Sequence, residues 1–191
     1  MLCIWHTDGN MNVDATVFSF LYGFSGHSVP GDSVIVFLAV YLPIILVVAA
    51  IFYMIFSHYP RLEKEIAIIS ALIAVALSRI VLGEGIRYFI ARPRPTLALH
   101  LQPLFPEVSF SFPSGHALAL FAVGGMLYMY NKRLGVLFCL LSLAACLARV
   151  AAGVHYPSDI LAGAVIGIGC AWLVWKYATP SLRIRLNRLT A

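Results

Sequence analysis

Long apolar runs separated by short polar segments dominate the chain. Five of these runs predict membrane-spanning helices, because a helix needs about 20 mostly apolar residues to cross a bilayer. They cover residues 33–56, 65–90, 114–130, 134–152 and 158–178. The pattern predicts an all-α protein, an integral membrane helical bundle of five or six transmembrane helices that forms a single domain over residues 1–191.

The sixth candidate is the segment 13–23, VDATVFSFLYG, which is apolar but only about half as long as a span. Asp14 lies near its beginning, and glycines and a proline follow it. We therefore expect an interfacial or re-entrant helix here. The proline-rich segment 91–113 is expected to be a loop, and the basic tail 181–189 is expected to lie at the membrane surface.

Composition supports the membrane assignment. Hydrophobic residues make up 61% of the chain and charged residues 11%, whereas about a quarter of a soluble domain is charged. The net charge of +5 does not predict nucleic-acid binding, because the cations lie at the ends of apolar runs.

The cysteines do not suggest a disulfide. Cys139, Cys146 and Cys170 lie inside apolar runs, and Cys3 stands alone. Segment 1–12 has no lysine or arginine and does not resemble a cleaved signal.

Three groups of polar side chains interrupt this apolar background. They are Arg87 with Arg94, Ser114-Gly115-His116, and Arg149 with His155 and Asp159. Each group lies at the end of a predicted span. If the five spans alternate in direction, these ends all face the same side of the membrane, so we expect the three groups to form one site.

The chemistry of this site points to phosphate. Three arginines at span ends would repel one another and be costly to bury unpaired, so an anion with several oxygens is the natural ligand. Free backbone N–H groups near Ser114 and Gly115 add an anion site, and glycine allows a close approach. Arg79 and Glu84, inside the second span, are expected to pair with each other or with Arg87.

Two histidines distinguish a phosphatase from a protein that only binds phosphate. One neutral imidazole can attack phosphorus, and a second, protonated imidazole can donate to the leaving group. Asp159 follows His155 by one helical turn and can orient its ring, so we expect His155 to be the nucleophile and His116 the acid. The same three side chains could instead hold zinc, but the nearby arginines argue against a second cation.

The three groups resemble the three motifs of the type 2 phosphatidic acid phosphatase superfamily. Residues 87–95, RYFIARPRP, match lysine, six residues and Arg-Pro, with Arg87 at the lysine position. Residues 113–116, PSGH, match the second motif in full. Residues 149–159, RVAAGVHYPSD, match the third motif, except that Ala148 replaces the serine that usually precedes the arginine.

This resemblance implies a phosphohistidine mechanism without a metal or another cofactor. His155 would form the phosphohistidine, His116 would protonate the leaving group and Asp159 would orient His155. The phosphate would be held by Arg87, Arg94, Ser114, Gly115 and Arg149. Arginine at position 87 keeps the charge but changes its reach, and alanine at position 148 removes a hydroxyl and the hydrogen bond it could make.

Within the superfamily, the short chain, the N-terminal region and the segment YFIARPRP are similar to bacterial undecaprenyl-diphosphate phosphatases of the bacitracin-resistance type. The resemblance implies that the protein hydrolyses a lipid phosphate or diphosphate in the bacterial inner membrane, with undecaprenyl diphosphate as the expected substrate. Phosphatidylglycerophosphate, phosphatidic acid and lipid A phosphatases have the same motifs and are alternatives. A transporter is a more remote alternative, because transporters place such groups near the membrane midplane.

Basic residues outside the motifs predict the orientation in the membrane. Eight of them fall on one side if the five spans alternate: Arg61, Lys64, Lys132, Arg133, Lys176, Arg183, Arg185 and Arg188. The positive-inside rule makes that side cytoplasmic. The motif loops are therefore expected to face the extracytoplasmic side.

Overall fold

The structure, a computed structural model, describes residues 13–190, and the regular elements in that range are all helices. Helix α1 covers Val13–Tyr22, and α2 covers Val29–Phe56 with a π-helical turn at Phe37–Tyr41. Helix α3 covers residues 61–90 and is π-helical over Ala76–Gly83. The other helices are the short α4 (Pro95–Ala98), α5 (Gly115–Tyr130) and α6 (Lys132–Ala151). Helix α7 begins at Pro157 and continues through the π-helical turn Val174–Ala178 to Thr190.

The prediction of an all-α bundle is confirmed. The expectations for Cys3 and for segment 1–12 lie outside the described residues.

Within residues 13–190, five helices run between the two ends of the bundle, namely α2, α3, α5, α6 and α7. Four of them are long and apolar enough to cross a membrane, and α5 is shorter, with 16 residues. The start of α5 meets the end of α3, where Arg87 donates to the Pro113 carbonyl. The end of α5 meets the residues just before α3, where the Tyr59 hydroxyl donates to the Tyr130 carbonyl. Helix α5 therefore extends along α3 from one end of the bundle to the other.

Helices α2 and α3 begin at Val29 and Arg61, before the starts that the apolar pattern predicts, because their polar first turns have local support. The Ser28 hydroxyl accepts the Gly31 N–H at 3.3 Å and caps α2. Arg61 pairs with Glu65 at 2.9 Å on the surface of α3. The apolar pattern therefore marks the middle of each helix but misses its polar end.

Helix α1 lies across the end of the bundle that contains the motifs. Near its start, the Asp14 carboxylate accepts the Ser158 N–H at 2.8 Å, at the beginning of α7. At its end, the Tyr22 hydroxyl donates to the Gln102 carbonyl at 2.9 Å. Phe18, between these two contacts, is buried. Because both ends of α1 contact the same end of the bundle, the helix has the placement expected of an interfacial helix. The described part of the chain therefore has five bundle-spanning helices.

Helix α5 is at the centre of the bundle, and most of its residues are buried. Glycines on α7 let the two helices pack closely: a Cβ at Gly163 would lie 2.7 Å from the Ala117 Cβ, and one at Gly167 would lie 2.6 Å from the Leu118 carbonyl oxygen. Such contact between helices through small residues is common in membrane proteins. It fixes the starts of α5 and α7, which hold motif residues, against each other.

The opposite end of the bundle contains the eight basic residues outside the motifs, at the starts of α3 and α6 and at the end of α7. Arg183 pairs with Glu63 at 2.7 Å, and Lys64 donates to the Ile55 carbonyl at 2.7 Å. The basic tail 181–189 is the last part of α7, and its Arg183 holds it against the start of α3. Within residues 13–190, the two ends of the bundle therefore differ in sequence, since one contains the motifs and the other contains the basic residues.

Candidate active site

The three motifs meet at one end of the bundle, as the alternation of spans predicts. Arg87, at the end of α3, donates to the carbonyl of Pro113, just before α5, at 3.0 Å. Arg94 donates to the Val154 carbonyl at 2.6 Å, in the connection between α6 and α7. These two contacts join the first motif to the second and to the third. The motif residues therefore form one cluster.

His155 is almost completely buried, and both of its ring nitrogens face charged groups. Nδ1 lies 3.3 Å from Asp159 Oδ2, and Nε2 lies 3.3 Å from Arg94 Nη1. A proton on Nδ1 would donate to the carboxylate and leave the Nε2 lone pair facing the guanidinium. The predicted contact between Asp159 and His155 is present.

The surroundings of His155 favour its neutral form. Burial is the largest cause, and the charge of Arg94 adds to it, whereas the hydrogen bond with Asp159 acts in the opposite direction. Together they lower the pKa of His155 to about 4, from its ordinary value of 6.5. The imidazole therefore has a free lone pair at neutral pH, which a nucleophile requires.

A network of hydrogen bonds surrounds the Asp159 carboxylate, which has no solvent exposure. Its Oδ1 accepts from Arg92 at 2.8 Å, and its Oδ2 accepts from the Ser111 hydroxyl and, at 2.8 Å, from the Tyr156 N–H. Arg92 also pairs with Asp14 on α1 at 2.7 Å. Arg92, Ser111 and Asp14 were not predicted to belong to the site. The only available sign, for Arg92 and Asp14, was their charge in an apolar chain.

Arg94 and Arg149 share one carboxylate. Each guanidinium is 2% exposed, and each donates to a different oxygen of Glu107, Arg94 at 3.1 Å. Burial alone would raise the pKa of the Glu107 carboxyl, but Arg149 and Arg94 outweigh it, so its pKa lies below the ordinary value. Glu107 therefore supplies the negative charge between these two arginines, although it was not among the predicted site residues.

Arg87 is buried and pairs with Glu84 at 2.6 Å, one helical turn before it. The prediction left the partner of Glu84 open between Arg79 and Arg87, and the structure shows Arg87. Among the residues that the structure describes, the Nε atoms of Arg87 and Arg149 are buried and have no acceptor. Buried donors without acceptors are costly, and the oxygens of a bound anion would satisfy them.

Ser114 and Gly115 form the start of α5. Ser114 is fully buried, and its backbone N–H donates to the Asp159 carbonyl at 3.1 Å. A Cβ at position 115 would lie 1.8 Å from Arg79 Nη1 and 2.7 Å from Arg87 Nη2. Glycine therefore lets the guanidinium groups of Arg79 and Arg87 lie directly over the start of α5, and a larger residue at position 115 would displace them.

His116 is less constrained than His155. Its side chain is partly buried, and the structure shows no hydrogen bond to its ring from any residue in the range 13–190. Arg149, Glu107, His155 and Arg79 are close enough to act electrostatically on its imidazole. The predicted acid therefore lies beside the predicted nucleophile and among the arginines, with its ring nitrogens available to a ligand.

No group of three or more His, Cys, Asp or Glu side chains that could hold a metal ion occurs within residues 13–190. The charged groups that are present instead bring arginines together around two histidines. Such a set of donors matches the oxygens of a phosphate group.

Comparison with known proteins agrees with this chemistry. The chain matches the model of the PAP2 superfamily over residues 66–183. It is 30% identical over 173 residues to the bacitracin transport permease protein BcrC of Bacillus licheniformis, an alignment that covers 90% of this chain and 82% of that protein. It is 26% identical over 167 residues to the undecaprenyl-diphosphatase BcrC of Bacillus subtilis strain 168, with 85% and 82% covered.

A solved structure shows the same fold. The crystal structure of Aquifex aeolicus LpxE matches this chain with a TM-score of 0.72 and 27% sequence identity, over 90% of this chain and 100% of that one. The PAP2 match includes all three motifs and more than half of the chain. The chain therefore belongs to the PAP2 superfamily and is a membrane phosphatase, as its three motifs predict.

Proposed function

We propose that this protein hydrolyses undecaprenyl diphosphate to undecaprenyl phosphate and inorganic phosphate through a phosphohistidine at His155. The observation that carries the proposal is the buried pair of His155 and Asp159 beside arginines whose side chains still have unused donors. A neutral imidazole oriented by a carboxylate is an activated nucleophile. The arginines beside it suit the charge of a phosphoryl group.

In the first step, Nε2 of His155 attacks the terminal phosphorus, and the bond from this phosphorus to the bridging oxygen breaks. Asp159 stabilises the positive charge that develops on the ring. The bridging oxygen leaves with the lipid monophosphate and takes a proton from His116, whose protonated form the negative diphosphate favours. In the second step, His116 accepts a proton from water, the water oxygen attacks the phosphohistidine, and phosphate leaves with His155 restored.

The arginines and the start of α5 bind the phosphoryl group in this mechanism. Arg87, Arg94 and Arg149 would stabilise the charge that develops during transfer, with the backbone N–H of Gly115 beside them. The Ser114 N–H, which was expected to be free, already donates to the Asp159 carbonyl. Glu107 accepts from both Arg94 and Arg149. A bound phosphate would replace Glu107 as the anionic partner of these two buried arginines. 

Sequence similarity supports undecaprenyl diphosphate as the substrate. The two BcrC relatives align with most of this chain, and one of them is named an undecaprenyl-diphosphatase. Phosphatidylglycerophosphate, phosphatidic acid and lipid A are the other lipid phosphates that these motifs allow. Substrate comparison is therefore the experiment that tests the proposal.

The test is a phosphate-release assay on the purified protein with undecaprenyl diphosphate, phosphatidylglycerophosphate and phosphatidic acid, with and without excess chelator. We expect the highest kcat/KM on undecaprenyl diphosphate, no loss with chelator, and no release by the His155→Ala variant. A higher kcat/KM on either phospholipid would overturn the proposal that undecaprenyl diphosphate is the substrate. Loss of activity that zinc or magnesium restores would overturn the metal-free mechanism.

We also propose that the protein lies in the bacterial inner membrane with its site on the extracytoplasmic side. The eight basic residues outside the motifs belong to the other end of the bundle, and the positive-inside rule assigns such an end to the cytoplasm. Single cysteines at Gln102 and Lys132, both exposed positions at opposite ends of the bundle, test this in intact cells after removal of Cys3. An impermeant thiol reagent should label position 102 and not position 132, and the reverse pattern would invert the orientation.

A further inference from the structure

Arg79 is a charged side chain of the bundle that the mechanism above does not use. It lies in the π-helical part of α3, Ala76–Gly83, and its side chain is exposed on the surface of the bundle. Within residues 13–190, the structure shows no hydrogen bond and no ion pair of its guanidinium group. An intramembrane arginine without a counter-ion is costly, and such residues usually mark a functional site. π-helical turns inside α-helices are likewise common at functional sites.

The guanidinium of Arg79 lies at the edge of the phosphate site. It occupies the space directly over Gly115, next to the guanidinium of Arg87. It is also close enough to His116 and Arg149 to act electrostatically on both. Arg87 has Glu84 as its partner, whereas Arg79 adds a positive charge beside the predicted general acid. This arrangement is suited to an anion that reaches beyond one phosphate group.

An apolar groove continues from this position along the bundle. Its volume is about 350 Å³, and it is lined by α2, α3 and α5. At one end the lining includes Val75 and Ala119, which lie one helical turn from Arg79 and His116, and the groove extends from there to Tyr130 at the other end of α5. Arg79 is therefore located between the phosphate site and an apolar surface that faces α2.

We infer that Arg79 binds the phosphate that stays on the lipid, and that this contact makes the enzyme prefer a diphosphate to a monophosphate. The inference rests on the proposed diphosphatase activity. The terminal phosphate would lie among Arg87, Arg94 and Arg149, where His155 attacks it. The second phosphate would then lie on the side of His116, which protonates the oxygen between the two phosphorus atoms, and the hydrocarbon chain would follow into the groove.

A lipid monophosphate separates this role from a general role in phosphate binding. Its one phosphate must occupy the terminal position to react, so it cannot use Arg79 at the same time. Farnesyl diphosphate and farnesyl phosphate have the same hydrocarbon chain and differ by one phosphate, which makes them a matched pair of probes. Orthovanadate, which mimics the reacting phosphate alone, provides a third measurement.

The experiment compares the wild type with Arg79→Gln, Arg79→Lys and the control Arg61→Gln, which changes an exposed arginine at the opposite end of the bundle. We expect Arg79→Gln to lower kcat/KM for farnesyl diphosphate about 10- to 100-fold, the loss typical of one charge-assisted contact. Its kcat/KM for farnesyl phosphate and its inhibition constant for orthovanadate should change less than about threefold. Arg79→Lys should recover part of the loss, and Arg61→Gln should resemble the wild type.

The other outcomes overturn the inference in different ways. An equal loss on both farnesyl substrates, with weaker inhibition by orthovanadate, would mean that Arg79 serves the reacting phosphate. No loss on the diphosphate would mean that Arg79 does not contact it. If the wild type hydrolyses farnesyl phosphate and not farnesyl diphosphate, the proposed role of Arg79 in binding the second phosphate is also excluded. Absence of phosphate release from every lipid by the wild type would instead refute the proposed function, so the two failures are distinguishable.

Discussion

The two histidines of the site have different surroundings. His155 is 1% exposed. Its Nδ1 contacts Asp159, and its Nε2 contacts Arg94. Asp159 is in turn held by several donors, one of which, Arg92, is itself paired with α1. His116 is only partly buried, and the residues in the range 13–190 leave its ring without a hydrogen bond. One half of the site is therefore fully connected and the other half is open.

This difference suits the roles proposed for the two histidines. The proposed nucleophile must be oriented before the substrate arrives, and the network around His155 would supply that orientation. The proposed acid must meet an oxygen that belongs to the substrate, and the ring of His116 lies on the open side of the site. Changes on the His155 side should therefore reduce phosphoryl transfer from every substrate, whereas changes on the His116 side should depend on the group that leaves.

The largest expected effect is at the nucleophile. His155→Ala should lower kcat by about 10⁴-fold or more, because no other group can form the phosphoenzyme. Asp159→Asn should leave measurable activity, since the ring remains and loses only its orienting carboxylate. Phosphate release from undecaprenyl diphosphate measures both, with circular dichroism as the test of folding. Near-normal turnover by a folded His155→Ala protein would assign the nucleophile elsewhere.

Arg87 tests whether the phosphate site tolerates the family's usual residue. Arg87→Ala should cost about 2–4 kcal/mol of transition-state stabilisation, because it removes a charge beside the phosphoryl group. Arg87→Lys should retain most of the activity, since lysine is expected at this position in the superfamily and keeps the charge. The measurement is kcat/KM on undecaprenyl diphosphate, with Arg61→Ala as the control. Small and equal effects of both substitutions would place Arg87 outside the site.

The general fold and the motif cluster could be predicted because both follow from simple constraints. A bilayer requires long apolar helices, so the five runs identified the five bundle-spanning helices. Alternation of those helices brings their polar ends to one side, so the meeting of the three motifs followed without any knowledge of contacts. Helix α1 was ambiguous because it is too short to span, and its placement depends on contacts of Asp14 and Tyr22 with distant residues.

The supporting residues of the site could not be predicted in this way. Asp14 and Glu107 bind arginines that are far away in the sequence or across a loop, and no periodicity relates these positions. Arg79 was expected to be close to either Glu84 or Arg87. Glu84 pairs with Arg87, which follows it by one turn, while Arg79 reaches over Gly115 on another helix. Their charge was the only sign available in the sequence, and charge alone does not indicate which partner a residue has.

A smaller effect is expected where α1 supports the His155 network. Asp14→Asn weakens the contact with Arg92 and should lower kcat about 5- to 20-fold on every substrate, corresponding to about 1–2 kcal/mol. KM should change little, because Asp14 does not reach the phosphate position. Asp32→Asn, which changes a partly buried carboxylate at the start of α2 that accepts the Gly26 N–H and lies outside the His155 network, is the matched control. A loss confined to one substrate would show that α1 contributes to specificity instead of orienting the nucleophile.

The last effect is expected on stability, at Glu107, where the two halves of the site meet. Glu107→Gln removes the charge shared by Arg94 and Arg149 and should lower the melting temperature by about 2–8 °C. Inorganic phosphate should stabilise this variant more than the wild type, because it replaces the missing anion.

The effect of Glu107 should also depend on pH. Since the pKa of Glu107 is lowered in the folded protein, its contribution to stability is present above the ordinary carboxyl range and is lost as the pH falls through its lowered value. The difference in melting temperature between variant and wild type should therefore be largest near neutral pH and shrink in acid. Thermal unfolding in detergent at several pH values, with and without phosphate and with Glu65→Gln as the control, measures this. A difference that persists in acid, or equal stabilisation of both proteins by phosphate, would show that Glu107 does not occupy the position of the anion.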